Sequence, residues 1–436
     1  MKGKWFVAGI LILILLGLCG VSLFALWQGY QMVNASGIHV NLSTKTVKAT
    51  GMEEKTLKVN GPVDLVVQTN LGDDITIQTG SDGQVHILAE KTAWGSGEDD
   101  AQEMLKRLTI VTEQTGNKIK VTVQQPVEVN ALHIGPVGGS VKFTITVPVE
   151  TSVNLSSDNG DLNLAGTQGA AVLDTSFGEV NVKDVTGSLT VTTSNGKITA
   201  KNIQAGEYPV NLQTDFGDVS VETVSAGDVT AKSTNGDLNL KNIEALGKLD
   251  VRSDFGGLEI RSSHALALEA HTSNGKVLVK DADFSGEVNV SSDFGDLALE
   301  AVRSDGMDLK TQNGQVTVSG AHGKIVAHSN YGNVEVSAED ANLTLTSDNG
   351  KIIFSGSLGE GEHTLQSDFG DIVLTLPAET ALSFDLKTDF GKLKSDFPVT
   401  LSGEIEEKHW KGVINGGGAL LKISTQNGNI TLQISK

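Results

Sequence analysis

The chain has 436 residues, of which 53 are acidic and 33 are basic, so its formal net charge is −20. A surface this acidic disfavours nucleic acid and anionic lipid headgroups as partners. The single cysteine, Cys19, excludes an internal disulfide, so the stability of the fold has to come from backbone ladders and buried side chains.

The first predicted element is a membrane anchor. Residues 5–27 form an uncharged stretch with Lys2 and Lys4 before it, and this stretch is long enough to cross a bilayer as a helix. The position of the lysines predicts that residues 1–4 are cytoplasmic and that everything after the anchor is extracytoplasmic, as in a single-pass protein of the cell membrane. A cleaved signal peptide is the alternative, because residues 33–35 resemble a small-residue cleavage site.

Residues 28–149 are predicted to contain a diverged repeat and an N-terminal cap. Residues 63–77 alternate apolar and polar side chains as the later repeats do. One short helix is expected after them, with Ser96 as its N-cap and Asp99 completing a capping box. Its predicted buried stripe consists of Ala101, Met104, Leu105 and Leu108. Such a region would cover the unpaired edge of the first coil.

Residues 150–394 repeat a short unit around a glycine, and the unit recurs once more near the C-terminus. A Ser or Thr always stands three residues before this glycine, and an apolar residue always stands two residues after it. The repeated glycines are Gly160, Gly178, Gly196, Gly217, Gly236, Gly256, Gly275, Gly295, Gly314, Gly332, Gly350, Gly370, Gly391 and Gly428. Their spacing, mostly 18 to 21 residues, predicts a solenoid or an array.

Each unit is expected to contain two strands joined by a tight corner. Apolar residues recur at alternate positions on both sides of the glycine, which is typical of strands with one buried face. The Ser or Thr has the same inward parity and is expected to satisfy a turn amide. The glycine is expected to supply a positive φ. An array of β-hairpins is the alternative, but the phenylalanine before many of the glycines disfavours it.

The residue before the glycine alternates between Asn and an aromatic residue. In a solenoid, two rungs separate consecutive aromatic residues, which places them about 10 Å apart along one edge. The predicted binding surface consists of Phe177, Phe216, Phe255, Phe294, Tyr331 and Phe369 with Asp215, Asp254, Asp293 and Asp368. Its expected partner is a repetitive one, such as a cell-wall glycan or the β-edge of a surface protein. The alternative is that each ring folds over the neighbouring Asn and fills a gap.

The regular spacing breaks after residue 394. Residues 395–436 are predicted to form a C-terminal cap that ends in a final repeat, because terminal repeats are commonly atypical. An inserted functional loop is the alternative.

These residues resemble a bacterial family of unknown function whose members bear the name putative adhesin. The resemblance covers roughly residues 50 to 436 and rests on three stretches. They are Phe143-Thr144-Ile145-Thr146-Val147-Pro148, then Ser157-Asp158-Asn159-Gly160-Asp161-Leu162-Asn163-Leu164, and Gln426-Asn427-Gly428-Asn429-Ile430. It implies an all-β fold, a single-stranded right-handed β-solenoid, and a role in surface adhesion. It brings no catalytic residues.

Catalytic and metal chemistry have little support in the sequence. Asp-Phe-Gly, which holds magnesium in protein kinases, occurs periodically and without the other kinase motifs, so it is interpreted as a turn. Acid pairs at the corners lack the spacing of calcium-binding β-rolls. No catalytic, cofactor or metal residue is predicted, and the expected function is that of a non-catalytic, membrane-anchored surface adhesin, binding or structural protein. The alternatives are a carbohydrate-active β-helix enzyme and a regulatory ectodomain in envelope-stress signalling.

Overall fold

The computed structural model describes residues 47–124, 138–403 and 406–435. The predicted anchor at residues 5–27 lies outside these ranges. Within them, no helix is long and apolar enough to cross a membrane. The described chain is an all-β, right-handed solenoid of about 11 turns, as the repeat period and the resemblance predicted.

The N-terminal elements, before the regular repeats, include the single described helix. They are β1 (Val47–Lys58), β2 (Val63–Thr69), β3 (Ile75–Thr79), β4 (Gln84–Gly95), α1 (Glu98–Arg107), β5 (Thr109–Thr115), β6 (Lys118–Gln124) and β7 (Gly138–Val147).

The repeats contribute short strands, each three to eight residues long in most coils. They are β8 (Thr151–Ser157), β9 (Leu162–Ala165), β10 (Ala171–Thr175), β11 (Val180–Thr186), β12 (Leu189–Thr193), β13 (Ile198–Gln204), β14 (Val210–Phe216), β15 (Val219–Ala226), β16 (Val229–Asn235), β17 (Leu238–Ala245), β18 (Lys248–Ser253), β19 (Leu258–Arg261), β20 (His264–Ala265), β21 (Ala267–Thr272), β22 (Val277–Phe284), β23 (Glu287–Ser292), β24 (Leu297–Arg303), β25 (Gly306–Thr311), β26 (Val316–Ser329), β27 (Val334–Ser347), β28 (Ile352–Leu358), β29 (Glu362–Ser367), β30 (Ile372–Leu376), β31 (Leu382–Thr388), β32 (Leu393–Ser395), β33 (Thr400–Leu401), β34 (His409–Ile414), β35 (Ala419–Thr425) and β36 (Ile430–Ile434).

Strands before and after the corner glycine stack into two separate parallel columns. Strands β10, β12, β14 and β16 pair in sequence in the first column, and β11, β13, β15 and β17 do so in the second. The pairing is in register, so that Leu189 faces Val210 and Val210 faces Val229 in the first column. Parallel in-register coils are the predicted architecture, and the alternative of antiparallel hairpins is wrong for the repeats.

The core is a stack of apolar rungs. Within β12, Leu189, Val191 and Thr193 are buried, while Thr190 and Thr192 between them point outward. Because successive side chains of a strand point to opposite faces, the alternation in the sequence sends one apolar set inward in every coil. Stacking neighbours then joins these sets into one continuous core.

The second bend of the coil is the one with left-handed backbone. A residue six positions after the corner glycine has a positive φ in most coils, as in Asn202 at 56° and Asn242 at 55°. The position is also occupied by Thr223 at 59° and Ala301 at 52°, although such residues rarely adopt this conformation. The amide of Asn202 donates to the carboxylate of Asp184 in the preceding coil at 2.9 Å. A side-chain hydrogen bond therefore joins these two coils at the bend.

A smaller unit comprises the described residues 47–54, 88–111, 122–124 and 138–142. Helix α1 buries Ala101 and Leu105 there, and Leu108 is buried where the helix ends. The predicted capping box is wrong, because the helix begins after Gly97, which is extended and makes no side-chain cap. The backbone amide and hydroxyl of Ser96 instead donate to the Asp100 carboxylate at 2.8 and 2.9 Å. In the larger unit, β7 pairs with β3 and so covers the first coil.

The last repeat of the sequence is not the last layer of the solenoid. Strand β35 pairs in parallel with β29 on one side and with β31 on the other, and β36 likewise lies between β30 and β32. The outer side of β31 is covered by the antiparallel strand β34. The segment predicted as a C-terminal cap is therefore divided, because its final repeat is an internal layer, and among its described strands β33 and β34 lie beyond the last coil.

Candidate functional site

The corner glycines lie one above another along the solenoid. A Cβ atom on Gly275 would stand 1.9 Å from the carbonyl oxygen of Gly256, and one on Gly256 would stand 1.9 Å from that of Gly236. The φ angles of these glycines are not positive, so the expected reason for glycine is wrong. Glycine is needed because the backbones of successive corners approach too closely for a side chain.

The Ser and Thr residues before the corners tie neighbouring layers together. The Thr272 hydroxyl donates to the carbonyl of Gly256 at 2.8 Å, one layer below. The Ser292 hydroxyl donates to Gly275 at 3.0 Å and accepts the amide of its own Gly295 at 2.8 Å. The predicted inward orientation of these hydroxyls and the predicted hydrogen bond from a turn amide are confirmed. The hydrogen bond between layers is a feature that the sequence did not reveal.

The residues directly before the corner glycines form one solvent-facing line. Backbone hydrogen bonds connect most of them to the layer below, as from the Phe255 amide to the Thr234 carbonyl at 2.9 Å. Strict alternation of Asn and aromatic residues runs along the line. Its spatial order is Asn159, Phe177, Asn195, Phe216, Asn235, Phe255, Asn274, Phe294, Asn313, Tyr331, Asn349, Phe369, Asn427 and Phe390.

Aromatic rings project from every second layer of this line. Their exposed fractions range from 57% at Phe177 to 78% at Phe390, so most of each residue is in contact with water. We call the set Phe177, Phe216, Phe255, Phe294, Tyr331, Phe369 and Phe390 the aromatic column. Adjacent members are two rungs, or about 9.6 Å, apart. Exposed apolar patches are typical of interaction surfaces, so the aromatic column is the candidate binding surface of the described chain.

Phe390 is the member that the sequence prediction omitted. In chain order it follows Phe369 with no Asn between them, so the alternation ends there. In space, the final repeat places Asn427 between the two and restores the alternation. Lys408 Nζ lies 5.6 Å from the centroid of the Phe390 ring, in cation–π geometry. The Asp389-Phe390-Gly391 tripeptide was the available signal.

The four predicted aspartates lie where the sequence placed them, each directly before an aromatic residue of the column. Asp254 is exposed, whereas Asp215, Asp293 and Asp368 are partly covered. A glutamine of the next layer donates to Asp293 at 3.3 Å and another to Asp368 at 3.2 Å. The aspartates therefore flank the aromatic column as hydrogen-bond acceptors, some of them already engaged within the solenoid.

The acids that follow the corner glycines have a structural role. The Asp218 carboxylate accepts the backbone amide of Asp237 at 2.9 Å, and Asp237 accepts that of Gly257 at 2.7 Å. Asp371 does the same for the amide of Asn429 at 2.8 Å. These carboxylates extend the backbone ladder at its corner. Across the described ranges, no group of three or more His, Cys, Asp or Glu side chains is arranged to hold a metal ion.

A separate groove of about 560 Å³ lies at another edge of the solenoid. Glu244, His264 and Asp283 occupy successive rungs along it, and the exposed Leu246 and Leu266 form part of its wall. In many catalytic carboxylate pairs, one acid is held in an apolar setting that keeps it protonated. Here Glu244 and His264 are exposed and Asp283 is half-exposed, so the groove resembles an open surface rather than an active site.

Comparison with known proteins gives one family match. The sequence model described as Toastrack DUF4097 matches residues 63–284 and 265–433. No curated protein matches the chain.

Several solved bacterial structures are similar over much of their length. A putative adhesin from Bacteroides fragilis NCTC 9343 is 15% identical, with a TM-score of 0.28, over 61% of this chain and 96% of its own. A putative cell adhesion protein from Clostridium sporogenes ATCC 15579 is 10% identical, with a TM-score of 0.18, over 89% and 100%. A putative lipid binding protein from Parabacteroides distasonis ATCC 8503 is 14% identical, with a TM-score of 0.16, over 74% and 93%. With TM-scores this low, none of the three bears on the function of this chain.

Proposed function

The chain belongs to the Toastrack DUF4097 family, and on that premise we propose that it is a non-catalytic surface protein that binds its partner through the aromatic column. The observation that carries the proposal is the row of rings that remain more than half exposed in every second layer. Apolar rings held in water at fixed intervals contribute little to folding, but each supplies a rigid contact area to a partner.

The rest of the solenoid supports a binding role. Parallel ladders and interlayer hydroxyl bonds fix the spacing of the rings, so little conformational entropy is lost when a long partner binds. Several weak contacts made simultaneously by one rigid surface give a high overall affinity through multivalent binding. In the groove, Glu244 and His264 are exposed and are paired positions of the regular ladder, which favours a binding surface over a catalytic site.

The experiment compares two sets of variants of the full-length protein. Replacing Phe216, Phe255 and Phe294 together by Ser is expected to abolish binding to isolated bacterial cell envelopes. More than half of each residue is already exposed, so each replacement should cost less than about 1 kcal/mol of unfolding free energy. The matched control is Tyr208→Ser, because Tyr208 is an aromatic residue of similar exposure, 63%, that lies off the aromatic column. Unchanged envelope binding by the triple variant would refute the proposal, and so would a collapse of its melting transition.

We further propose that residues 5–27 anchor the protein in the membrane with the solenoid outside the cell. The support is the length of the uncharged stretch and the lysines before it. In intact cells, an external protease should digest the solenoid, and an alkaline wash should leave the protein in the membrane fraction. A mature chain that begins near residue 36 would show instead that the segment is a cleaved signal peptide.

A further inference from the structure

The aromatic column has a period that identifies a class of partner. Adjacent rings are two rungs apart, about 9.6 Å, because strands in a sheet are separated by about 4.8 Å. In a β-1,4-linked glycan, successive sugars alternate in the face that they present, so like faces recur at every second sugar. That disaccharide repeat has nearly the same length as two rungs. We propose that the aromatic column binds a neutral β-1,4-linked glycan strand that lies along the solenoid, with one disaccharide to each ring.

The proposal rests on the proposed function and specifies its ligand. The order of the layers keeps this period regular. In chain order, Phe369 and Phe390 would occupy adjacent rungs, whereas the insertion of the final repeat puts Asn427 between them. The two-rung period thus extends through the end of the solenoid.

The groups beside the rings suit a sugar ligand. A pyranose ring presents an apolar face of C–H groups, and the negative face of an aromatic ring attracts such groups. Asp254 precedes Phe255 and is exposed, so its carboxylate can accept hydroxyl groups at the edge of a sugar that is stacked on that ring. Rings with acceptors beside them are suited to a polyhydroxylated chain.

The charge of the protein favours a neutral ligand. The net charge of −20 and the aspartates that flank the aromatic column repel polymers rich in carboxylate or phosphate. A neutral strand carries no such penalty. The intervening Asn residues, such as Asn235 and Asn274, are exposed and offer both amide donors and carbonyl acceptors to the sugar between two rings.

The test measures binding of defined oligosaccharides to the full-length protein by calorimetry. The probes are cellohexaose and chitohexaose, with cellobiose as the short ligand and laminarihexaose and maltohexaose as hexamers of other linkage. We expect the two β-1,4 hexamers to bind and the other hexamers to bind at least about tenfold more weakly. Cellobiose, which spans one ring, should bind more weakly than cellohexaose by a similar factor. Phe255→Ser should weaken cellohexaose binding by about tenfold, whereas Tyr208→Ser should leave it unchanged.

Each outcome separates this inference from the proposed function. If no β-1,4 oligosaccharide binds while envelope binding still depends on Phe216, Phe255 and Phe294, the glycan is wrong and the binding role stands. If protease treatment of the envelopes abolishes binding and removal of glycan does not, the partner is a protein and the inference is again overturned. If neither oligosaccharide binding nor envelope binding depends on the aromatic column, both proposals fail.

Discussion

The close stacking of the corners predicts a sharp difference between two adjacent glycines. In Gly256→Ala, the new Cβ atom would lie 1.9 Å from the Gly236 carbonyl oxygen and 2.5 Å from its carbon, and it would have to recede by about 1.1 Å to reach even 3.0 Å. In Gly257→Ala, the nearest atoms are 3.5 Å away, which is an ordinary contact. Both positions therefore receive the same methyl group in very different surroundings.

The magnitude follows from the bonds around the corner. Moving the layers apart at Gly256 strains the Ser253 hydroxyl bond to Gly236 at 2.9 Å and the Thr272 bond to Gly256 at 2.8 Å. Weakening two such bonds, and leaving their buried carbonyls without donors, should lower the unfolding free energy of Gly256→Ala by about 3 to 5 kcal/mol. Gly257→Ala should instead raise the unfolding free energy by up to about 1 kcal/mol, because it restricts the unfolded chain.

Guanidinium unfolding of the full-length protein, followed by far-ultraviolet circular dichroism, measures both changes. A loss of unfolding free energy below about 1 kcal/mol in Gly256→Ala, or equal losses in both variants, would refute the steric role of Gly256. Either result would mean that the corners can open without breaking the bonds between layers.

Three further outcomes are expected. Cysteines at Gln366 and Ser424 should form a disulfide, because these residues face each other in the ladder. Cysteines at Gln366 and Lys387 should not, although chain order alone would make their two coils neighbours. Peptide mapping distinguishes the two pairs. Burial lowers the pKa of His363, so as pH falls below about 6.5 the unfolded chain binds a proton that the folded chain resists. The unfolding free energy should therefore fall by at most about 1.4 kcal/mol per pH unit. A His363→Leu variant that kept the same dependence of unfolding free energy on pH would contradict this. Thr223→Asn should raise the unfolding free energy by up to about 1 kcal/mol, because Asn tolerates the left-handed φ of 59° better than a β-branched residue does. A lowered melting temperature of this variant would argue against strain at the bend.

Buried His363 also illustrates how the core adapts to a polar residue. It takes an inward position that is apolar in other coils, and it is fully buried. Its Nε2 donates to the Gly359 carbonyl at 3.1 Å, and its Nδ1 accepts the Leu343 amide at 3.3 Å, which fixes the neutral form. In the sequence, His363 interrupts the apolar alternation of its repeat, and these contacts show why the fold tolerates it.

The sequence by itself determined the coil. Alternating apolar residues on both sides of each glycine specify two half-buried strands, and the period of 18 to 21 residues specifies that the strands recur as rungs. The alternation of Asn and aromatic residues likewise predicted that six rings of the aromatic column share one edge. These features are local, so each depends only on residues within one or two repeats.

Only the tertiary structure decided the order of the layers and the reason for the glycines. Every repeat presents nearly the same ladder edges, so nothing local prevents β35 and β36 from pairing between two coils that precede them in the chain. The local sequence likewise could not show why the corners need glycine, because the atom that excludes a side chain belongs to the layer below and not to the glycine's own turn. Pairing and close approach are relations between distant residues, and a repeating sequence leaves open which distant copy becomes the neighbour.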